Sequence, residues 1–226
     1  MTMIQCYFLK NFHEIELPTD HLMKLNDAQR LRIKSMSMKR TQEFFWGRQL
    51  LNFALTKGSS NKDSSNKEWE VIENENNAPL VKLLNTNHSI NCSITHSIRW
   101  LGVAVCIDVN PPKIGIDIET IRDNWSIEKA KLFCNNPQIN QAFELNTVTE
   151  RNYFLTTLWT QKEAYFKAVG EQVFNKTVNL KESPEAPYLL TSKALSDDSI
   201  MSIYSERNAI INKSELCYLN GQFVAI

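Results

Sequence analysis

Apolar positions along the chain alternate between strand-like and helix-like spacing. Alternation and short apolar runs predict strands, whereas apolar residues spaced one helical turn apart predict helices. Strands are predicted at 4–9, 69–72, 90–94, 101–107 and 114–118, and 188–226 is predicted to be mostly antiparallel strands. Two helices are predicted within 20–55, and others at 126–133, 138–145 and 148–169. Because both halves contain strands and helices, we expect an α+β fold.

The strongest break in this pattern is Asn110-Pro111-Pro112. Proline lacks a backbone N–H and stops both helices and central strands. We therefore expect two halves, residues 1–111 and 112–226. A length of 226 residues fits two small domains or one large one.

Composition narrows the class of protein. Basic and acidic residues number 25 each, which argues against a protein that coats nucleic acid. The longest apolar run, 100–107, is far shorter than the roughly 20 residues that a membrane helix needs. Five widely spaced cysteines favour free thiols in a reducing compartment. We expect a cytoplasmic monomer with no nucleic-acid or membrane partner.

Two carboxylates share one face of the strand around Gly115-Ile116-Asp117-Ile118-Glu119. Side chains two apart in a strand point the same way, so Asp117 and Glu119 lie together, and Ile116 and Ile118 are expected to point into the core. Neighbouring carboxylates repel unless a cation or a proton neutralises them, and their hard oxygens suit Mg²⁺. The other interpretation is an ordinary edge strand with a solvated acidic face.

A third carboxylate lies in the predicted helix that ends near Gly170. Glu163 falls between Trp159 and Phe166 on the apolar side, and Lys167 follows it by one turn. One interpretation is a surface ion pair worth a few tenths of a kcal/mol. The other is a further metal ligand with a phosphate-binding lysine beside it.

Two upstream segments are candidates for binding an anion. His96 lies between Thr95 and Ser97 at the end of a predicted strand, and imidazole and hydroxyl groups can both donate to phosphate. Residues 24–48 carry seven basic and two acidic side chains. A structural histidine and a solvated helix face are the alternatives.

Together these segments resemble the 4′-phosphopantetheinyl transferases of the surfactin- and enterobactin-synthase type. Residues 115–119 are similar to the GxDxE signature of that family, and 159–167 to its WxxKEAxxK signature. Residues 93–97 are similar to its N-x-S-H-S segment, with Ser93 and Thr95 as departures. Residues 39–48 resemble the N-terminal helix of the enterobactin-type members.

The resemblance implies a pseudo-dimer of two similar α/β halves with coenzyme A in the cleft. It implies transfer of 4′-phosphopantetheine to a serine of an apo acyl- or peptidyl-carrier protein. It assigns Asp117, Glu119 and Glu163 as Mg²⁺ ligands, and Glu163 and Lys167 as catalytic. It assigns coenzyme A contacts to Arg30, Arg32, Arg48, Thr95, His96 and Lys167. Where the family often has a basic residue, the chain reads Asn77-Ala78-Pro79, and Lys82 is the nearby substitute.

Two other functions fit part of the pattern. A different Mg²⁺-dependent phosphotransfer or hydrolytic enzyme would use the Asp-x-Glu pair but would not need His96 in order upstream. A non-catalytic module that binds carrier proteins would not need Asp117, Glu119, Glu163 and Lys167 all to be present.

Overall fold

The computed structural model describes residues 2–59, 69–74, 79–84, 86, 88–170, 180 and 188–226. They form two compact units, one comprising Met1–Pro111 with Ala209–Ile226 and the other Pro112–Asn208. The strands are β1 (Thr2–Lys10), β2 (Trp69–Ile72), β3 (Leu80–Leu83), β4 (Ser89–His96), β5 (Trp100–Cys106), β6 (Ile114–Thr120), β7 (Leu189–Ser196), β8 (Ser199–Ser205), β9 (Ala209–Leu219) and β10 (Gln222–Ala225). The helices are α1 (Asp27–Ile33), α2 (Met38–Ser59), α3 (Ile127–Ala130), α4 (Asn136–Glu144) and α5 (Val148–Val169).

The first unit is built on a sheet in which the described strands follow the order β10-β9-β1-β5-β4-β3-β2. The strand β9 is parallel to β1, and the other neighbours are antiparallel. Helix α2 covers this sheet and contacts β5, β1 and β4. Its buried side chains include Phe45, Trp46 and Leu50, which pack into the core with Leu101 and Val103 of β5.

The second unit is built on the strands β6, β8 and β7, in that order, with α5 lying against β6 and β8. Thr147 begins α5 with a capping box, its side chain accepting from Glu150 N–H while the Glu150 carboxylate accepts from Thr147 N–H. Gly170 ends the helix with a φ of 76°, a left-handed conformation that glycine adopts without a steric penalty. The predicted limits of this helix, 148–169, are confirmed.

The contact between β6 and α5 is unusually close at Gly115. A Cβ atom built on Gly115 would lie 1.8 Å from the carbonyl oxygen of Ala164. Because strand side chains alternate, the face that carries Gly115 also carries Asp117 and Glu119, so these carboxylates face the helix. Ile116 and Ile118 are buried on the opposite face, as expected. The alternative of a solvated acidic face does not hold for Asp117, which is only 5% exposed, whereas Glu119 is partly exposed.

Several features of the prediction are confirmed and others are corrected. The mixed α+β class and both predicted helices within 20–55 are confirmed. The strand β3 was not predicted, and α3 is shorter than the expected helix at 126–133. The C-terminal strands were expected to be mostly antiparallel, which the β7–β8 and β9–β10 pairs confirm, and to belong with residues 112–208. Instead β9 pairs in parallel with β1, so 209–226 belongs to the first unit, because alternation identifies a strand but not its partner.

No described helix is long and apolar enough to cross a membrane. The five cysteines are free thiols, and four of them are buried.

Replacing Gly115 with alanine tests the helix–strand contact. The new methyl group would overlap the backbone of α5, which cannot move aside as a flexible side chain can. We expect Gly115→Ala to destabilise the protein by about 3 kcal/mol, lowering Tm by roughly 6–12 °C in differential scanning calorimetry. The matched control is Gly47→Ala in α2, whose Cβ would lie 3.5 Å from Ile94, an ordinary contact. Equal Tm values for the two variants would contradict the close contact.

Candidate active site

The residues of the two C-terminal motifs come together where β6 meets α5. The Lys167 ammonium donates to Asp117 Oδ1 at 2.7 Å and to the Ile116 carbonyl oxygen at 3.3 Å. Asp117 is buried, whereas Lys167 is partly exposed. Lys167 therefore bonds to β6. The alternative interpretation, a surface ion pair between Lys167 and Glu163 within α5, would not require this contact.

Glu119 is held by two donors that approach the same oxygen. Its Oε1 accepts from Arg122 Nη2 and from Trp159 Nε1, each at 2.9 Å. The Arg122 guanidinium lies over the rings of Trp125 and Trp159, 5.2 and 5.1 Å from their centroids. The Trp125 indole donates to Thr156 Oγ1 at 3.0 Å, which fixes its ring. Glu119 therefore has a defined orientation, set by stacked and hydrogen-bonded neighbours.

The crowding of carboxylates changes their proton affinity. Burial, followed by the charge of Asp117, raises the pKa of Glu163 to about 7, with Glu119 adding to the rise while Lys167 and Arg122 oppose it. Burial and Asp117 likewise raise the pKa of Glu119, against the opposing effects of Arg122 and Trp159. A carboxyl group with a pKa near 7 can both accept and release a proton at neutral pH.

The same carboxylates offer the hard oxygen donors that Mg²⁺ prefers. Within the described ranges, no three His, Cys, Asp or Glu side chains converge closely enough to hold a metal ion. Asp117 and Glu119 are instead bonded to Lys167 and Arg122. The carboxylate oxygens are thus chemically suited to a divalent cation. Lys167 and Arg122 already balance part of the negative charge of these carboxylates.

A row of hydroxyl groups continues the polar face beyond Asp117. Asp117 is paired in register with Ser202 of β8, and Ser202 with Ser192 of β7. The Ser202 hydroxyl lies 2.7 Å from Thr160 Oγ1 and 2.9 Å from Ser192 Oγ. Gln161 Nε2 donates to Ser192 Oγ at 3.0 Å. These hydrogen bonds let α5 bury a polar stripe against the sheet.

Lys162, next to Glu163, has a structural role that the sequence did not reveal. It is 1% exposed, and its ammonium donates to the carbonyl oxygen of Phe133. Burial lowers the pKa of Lys162. The Phe133 ring packs against Trp125 and Trp159, the two rings beneath Arg122. Lys162 thereby helps to fix the aromatic support for Glu119.

In the first unit, His96 lies beside α2. Its Nε2 is 3.7 Å from Glu43 Oε2, and Arg40 Nη1 is 3.3 Å from the same oxygen. Thr95, predicted to contact coenzyme A, is buried. It points to the opposite face of β4 from His96, because adjacent strand residues alternate. The structure therefore does not bring the Thr95 and His96 side chains together.

Arg48 and Arg32 are bonded to the largely buried carboxylate of Glu73. Glu73 accepts from Arg48 Nε and Nη2, each at 2.6 Å, from Arg32 Nη1 at 2.9 Å, and from Gln29 Nε2 at 3.1 Å. Burial alone would raise the pKa of Glu73, but Arg48, Gln29 and Arg32 outweigh it, and the pKa is lowered. The Arg48 side chain is buried, so the expected direct contact with a nucleotide is corrected to a structural pair. Arg32 is partly exposed.

The other predicted basic contacts lie at the surface. Arg30 pairs with Asp27 at 2.5 Å, and both side chains are exposed. Lys82 is exposed on β3, opposite Glu70 of β2. Residues 77 and 78, where the family often has a basic segment, lie outside the described residues.

Sequence reasoning missed several charged residues that shape these sites. Arg122 follows Glu119 by three residues, a spacing that could have been noticed at the end of a strand. Glu43 has the same spacing from Arg40, but nothing indicated its contact with His96, 53 residues away, or the contact of Glu73 with Arg48, 25 residues away.

Comparison with known families supports the C-terminal motifs. Residues 113–206, less than half of the chain, match the model of the 4′-phosphopantetheinyl transferase superfamily. The match includes β6, α5 and β8, and therefore all four of Asp117, Glu119, Glu163 and Lys167. No curated protein matches the chain.

The raised pKa of Glu163 predicts how stability depends on pH. In the unfolded chain Glu163 loses its proton near pH 4.5, whereas in the folded protein it keeps the proton up to about pH 7. The free energy of unfolding therefore falls as pH rises from 4.5 to about 7. Glu163→Gln removes this loss of stability. We expect its Tm to exceed that of the wild type at pH 8 by on the order of a few degrees, and this difference to shrink towards pH 5.

The measurement is thermal unfolding with a chelator present throughout. Exposed Glu144 provides the matched control, and Glu144→Gln should change Tm little at either pH. A Glu163→Gln difference that is constant with pH, or larger at pH 5, would contradict the raised pKa.

Proposed function

We propose that this protein transfers the 4′-phosphopantetheine arm of coenzyme A to a serine of an apo carrier protein. The observation that carries the proposal is the family match at 113–206, together with the contact that brings Asp117 of β6 to Lys167 of α5. It would act as a holo-acyl-carrier-protein synthase in the broad sense, on an acyl or peptidyl carrier. Phosphopantetheinyl transfer in general is the activity that the matched superfamily supports.

In this reaction the serine Oγ attacks the β-phosphorus of coenzyme A. A new Oγ–phosphorus bond forms, and the bond from that phosphorus to the bridging diphosphate oxygen breaks. The electron pair of the broken bond leaves with adenosine 3′,5′-bisphosphate. The serine proton must pass to a base, because a neutral hydroxyl is a weak nucleophile.

Glu163 is the proposed base. In the metal-free protein its pKa is about 7, so its carboxyl group can take up a proton near neutral pH. Burial raises this pKa most, and the negative charges of Asp117 and Glu119 add to the rise. Lys167 is proposed to exchange its contact with Asp117 for one with the diphosphate, where negative charge accumulates.

Asp117, Glu119 and Glu163 are the proposed ligands for Mg²⁺. When bound, the metal would supply neutralisation of the charge on the diphosphate. Lys167 and Arg122 now balance Asp117 and Glu119, so a divalent cation would compete with them for these carboxylates. Lys167 and Arg122 would then be available to donate hydrogen bonds to phosphate oxygens.

The family resemblance assigns the nucleotide phosphates of coenzyme A to basic side chains upstream of residue 113. His96 is proposed to bind the 3′-phosphate, and Arg30 and Arg32, which are partly exposed, the remaining phosphate charge. Arg48 acts indirectly, by fixing Glu73 and with it Arg32.

The remaining expectations from the family resemblance also stay proposals. These are membership of the surfactin and enterobactin type, a carrier from siderophore or nonribosomal peptide synthesis, and internal similarity of two halves. A cytoplasmic location and a monomeric state belong with them.

The test is incubation of the protein with coenzyme A, Mg²⁺ and a panel of apo carrier proteins, read by intact mass. We expect one or more carriers to gain the mass of one phosphopantetheine. Asp117→Ala and Glu163→Gln should lower the rate by at least about 100-fold, and both should remain folded by circular dichroism. Glu144→Gln is the matched control and should transfer at the wild-type rate.

Failure of every carrier to gain mass, with the wild type folded, would overturn the proposal in favour of another Mg²⁺-dependent enzyme. Near-normal turnover by Glu163→Gln would instead show that another group takes the serine proton.

A further inference from the structure

A chain of hydrogen-bonded side chains joins α5 to the two strands beyond β6. Thr160 Oγ1 of α5 lies 2.7 Å from Ser202 Oγ of β8, which in turn lies 2.9 Å from Ser192 Oγ of β7. Gln161 Nε2, also of α5, donates to Ser192 Oγ at 3.0 Å. These four residues, called the hydroxyl chain below, begin and end on the helix and pass through the sheet.

A single order of donors satisfies every contact in the hydroxyl chain. The Thr160 hydroxyl donates its one proton to the Thr157 carbonyl oxygen at 2.9 Å, so Ser202 must be the donor to Thr160. The Ser202 proton is then used, so Ser192 must donate to Ser202 while it accepts from Gln161. The hydrogen bonds therefore run in one direction, from the Gln161 amide to the Thr157 carbonyl group. Bonds aligned in this way strengthen one another.

The contact between α5 and β8 in the hydroxyl chain is closed to water. Thr160 and Ser202 are both 0% exposed, and Gln161 is 8% exposed. A buried hydroxyl group that loses its partner costs more free energy than the hydrogen bond contributes, because water cannot replace the partner. A rotation of α5 that separates Thr160 from Ser202 is therefore disfavoured.

The rotation of α5 decides where the charged side chains of the candidate active site point. Residues three, four and seven positions apart lie on the same side of a helix, so Thr160 shares its side with Glu163 and Lys167. Lys167 bonds to Asp117 of β6 at 2.7 Å, and Asp117 is paired in register with Ser202 of β8. The hydroxyl chain and the ion pair therefore join one side of α5 to adjacent positions on two neighbouring strands.

We propose that the hydroxyl chain fixes the rotation of α5, and that Thr160 and Ser202 are positioning residues for the reaction. The inference rests on the proposed function, in which Glu163 accepts the serine proton and Lys167 contacts the diphosphate. The close contact at Gly115 sets the distance between α5 and β6, whereas the hydroxyl chain sets the angle of the helix about its axis. A displacement of about 1 Å in groups such as these can lower a rate by about 100-fold.

Support of the fold alone is the other interpretation, because buried hydrogen bonds also stabilise a protein. The two interpretations differ in which part of the Thr160 side chain matters for the reaction. Positioning depends on the hydroxyl group, which bonds to Ser202. Stability depends also on the methyl group, since removing a buried methyl group leaves a cavity.

The experiment measures Tm, and kcat and KM for coenzyme A, in Thr160→Val and Thr160→Ser. Valine keeps the shape of threonine without the hydroxyl group, and serine keeps the hydroxyl group without the methyl group. We expect Thr160→Val to lower kcat about tenfold or more and to change KM less than about twofold, because the nucleotide phosphates are assigned to side chains outside α5. Thr160→Ser should keep kcat within about threefold of the wild type despite a lower Tm.

The matched control is Thr157→Val, the same substitution one turn earlier in α5. The Thr157 hydroxyl donates to the Tyr153 carbonyl oxygen of its own helix, so this variant should have the wild-type kcat. Ser202→Ala should lower kcat as Thr160→Val does. The double variant should lose little more in kcat or in Tm than either single variant, since both substitutions remove one contact. The comparison of Tm values needs neither coenzyme A nor a metal.

A wild-type kcat in folded Thr160→Val, or equal losses of kcat in Thr160→Val and Thr160→Ser, would overturn the inference and leave the proposed function intact. Additive effects of Thr160→Val and Ser202→Ala on Tm would also overturn it, because the two side chains would then not share a contact. A wild type that transfers phosphopantetheine to no carrier would overturn the proposed function, and this inference with it.

Discussion

The arrangement of the candidate active site depends on one contact, between the backbone of α5 and Gly115 of β6. A Cβ atom at Gly115 would lie 1.8 Å from the Ala164 carbonyl oxygen, so any other residue there would force the helix away from the strand. Asp117 lies two residues further along the same face, and at this close approach it meets Lys167 at 2.7 Å. The same close contact brings Glu163 near enough to Asp117 and Glu119 for their negative charges to raise its pKa.

The site therefore concentrates negative charge inside a folded unit. Neighbouring residues reduce the loss of stability that this charge causes. Lys167 and Arg122 compensate Asp117 and Glu119 directly. Glu163 is left with a pKa of about 7 because burial and its acidic neighbours together outweigh those two cations. Buried Lys162, through Phe133, and the indole rings of Trp125 and Trp159 that pack against Phe133 support this arrangement. The crowded negative charge is unfavourable for folding. The same charge raises the pKa of a proton acceptor and attracts a cation, so both functions require it.

The sequence predicted features that depend on local chemistry and missed those that depend on distant partners. Helix α5 was predicted to the residue from its helical pattern and from Gly170, and the structure adds a capping box at Thr147. The grouping of Asp117 with Lys167 followed from recognisable motifs rather than from periodicity. The parallel pairing of β9 with β1 could not be predicted, since strand alternation carries no information about direction or neighbour. The role of Arg48 was misassigned for a similar reason. Its partner Glu73 lies 25 residues further along the chain, and no sequence pattern connects the two.

The most direct test of this account is the pKa of the Glu163 carboxyl group, measured by NMR titration of ¹³C-labelled glutamate with a chelator present. Glu163→Gln identifies the resonance by its disappearance. If α5 and β6 bury Glu163 within range of the charges of Asp117 and Glu119, the Glu163 signal should titrate near pH 7. Titration near the ordinary glutamate value of 4.5 would show that burial and the charges of Asp117 and Glu119 do not act on Glu163, and would contradict the account.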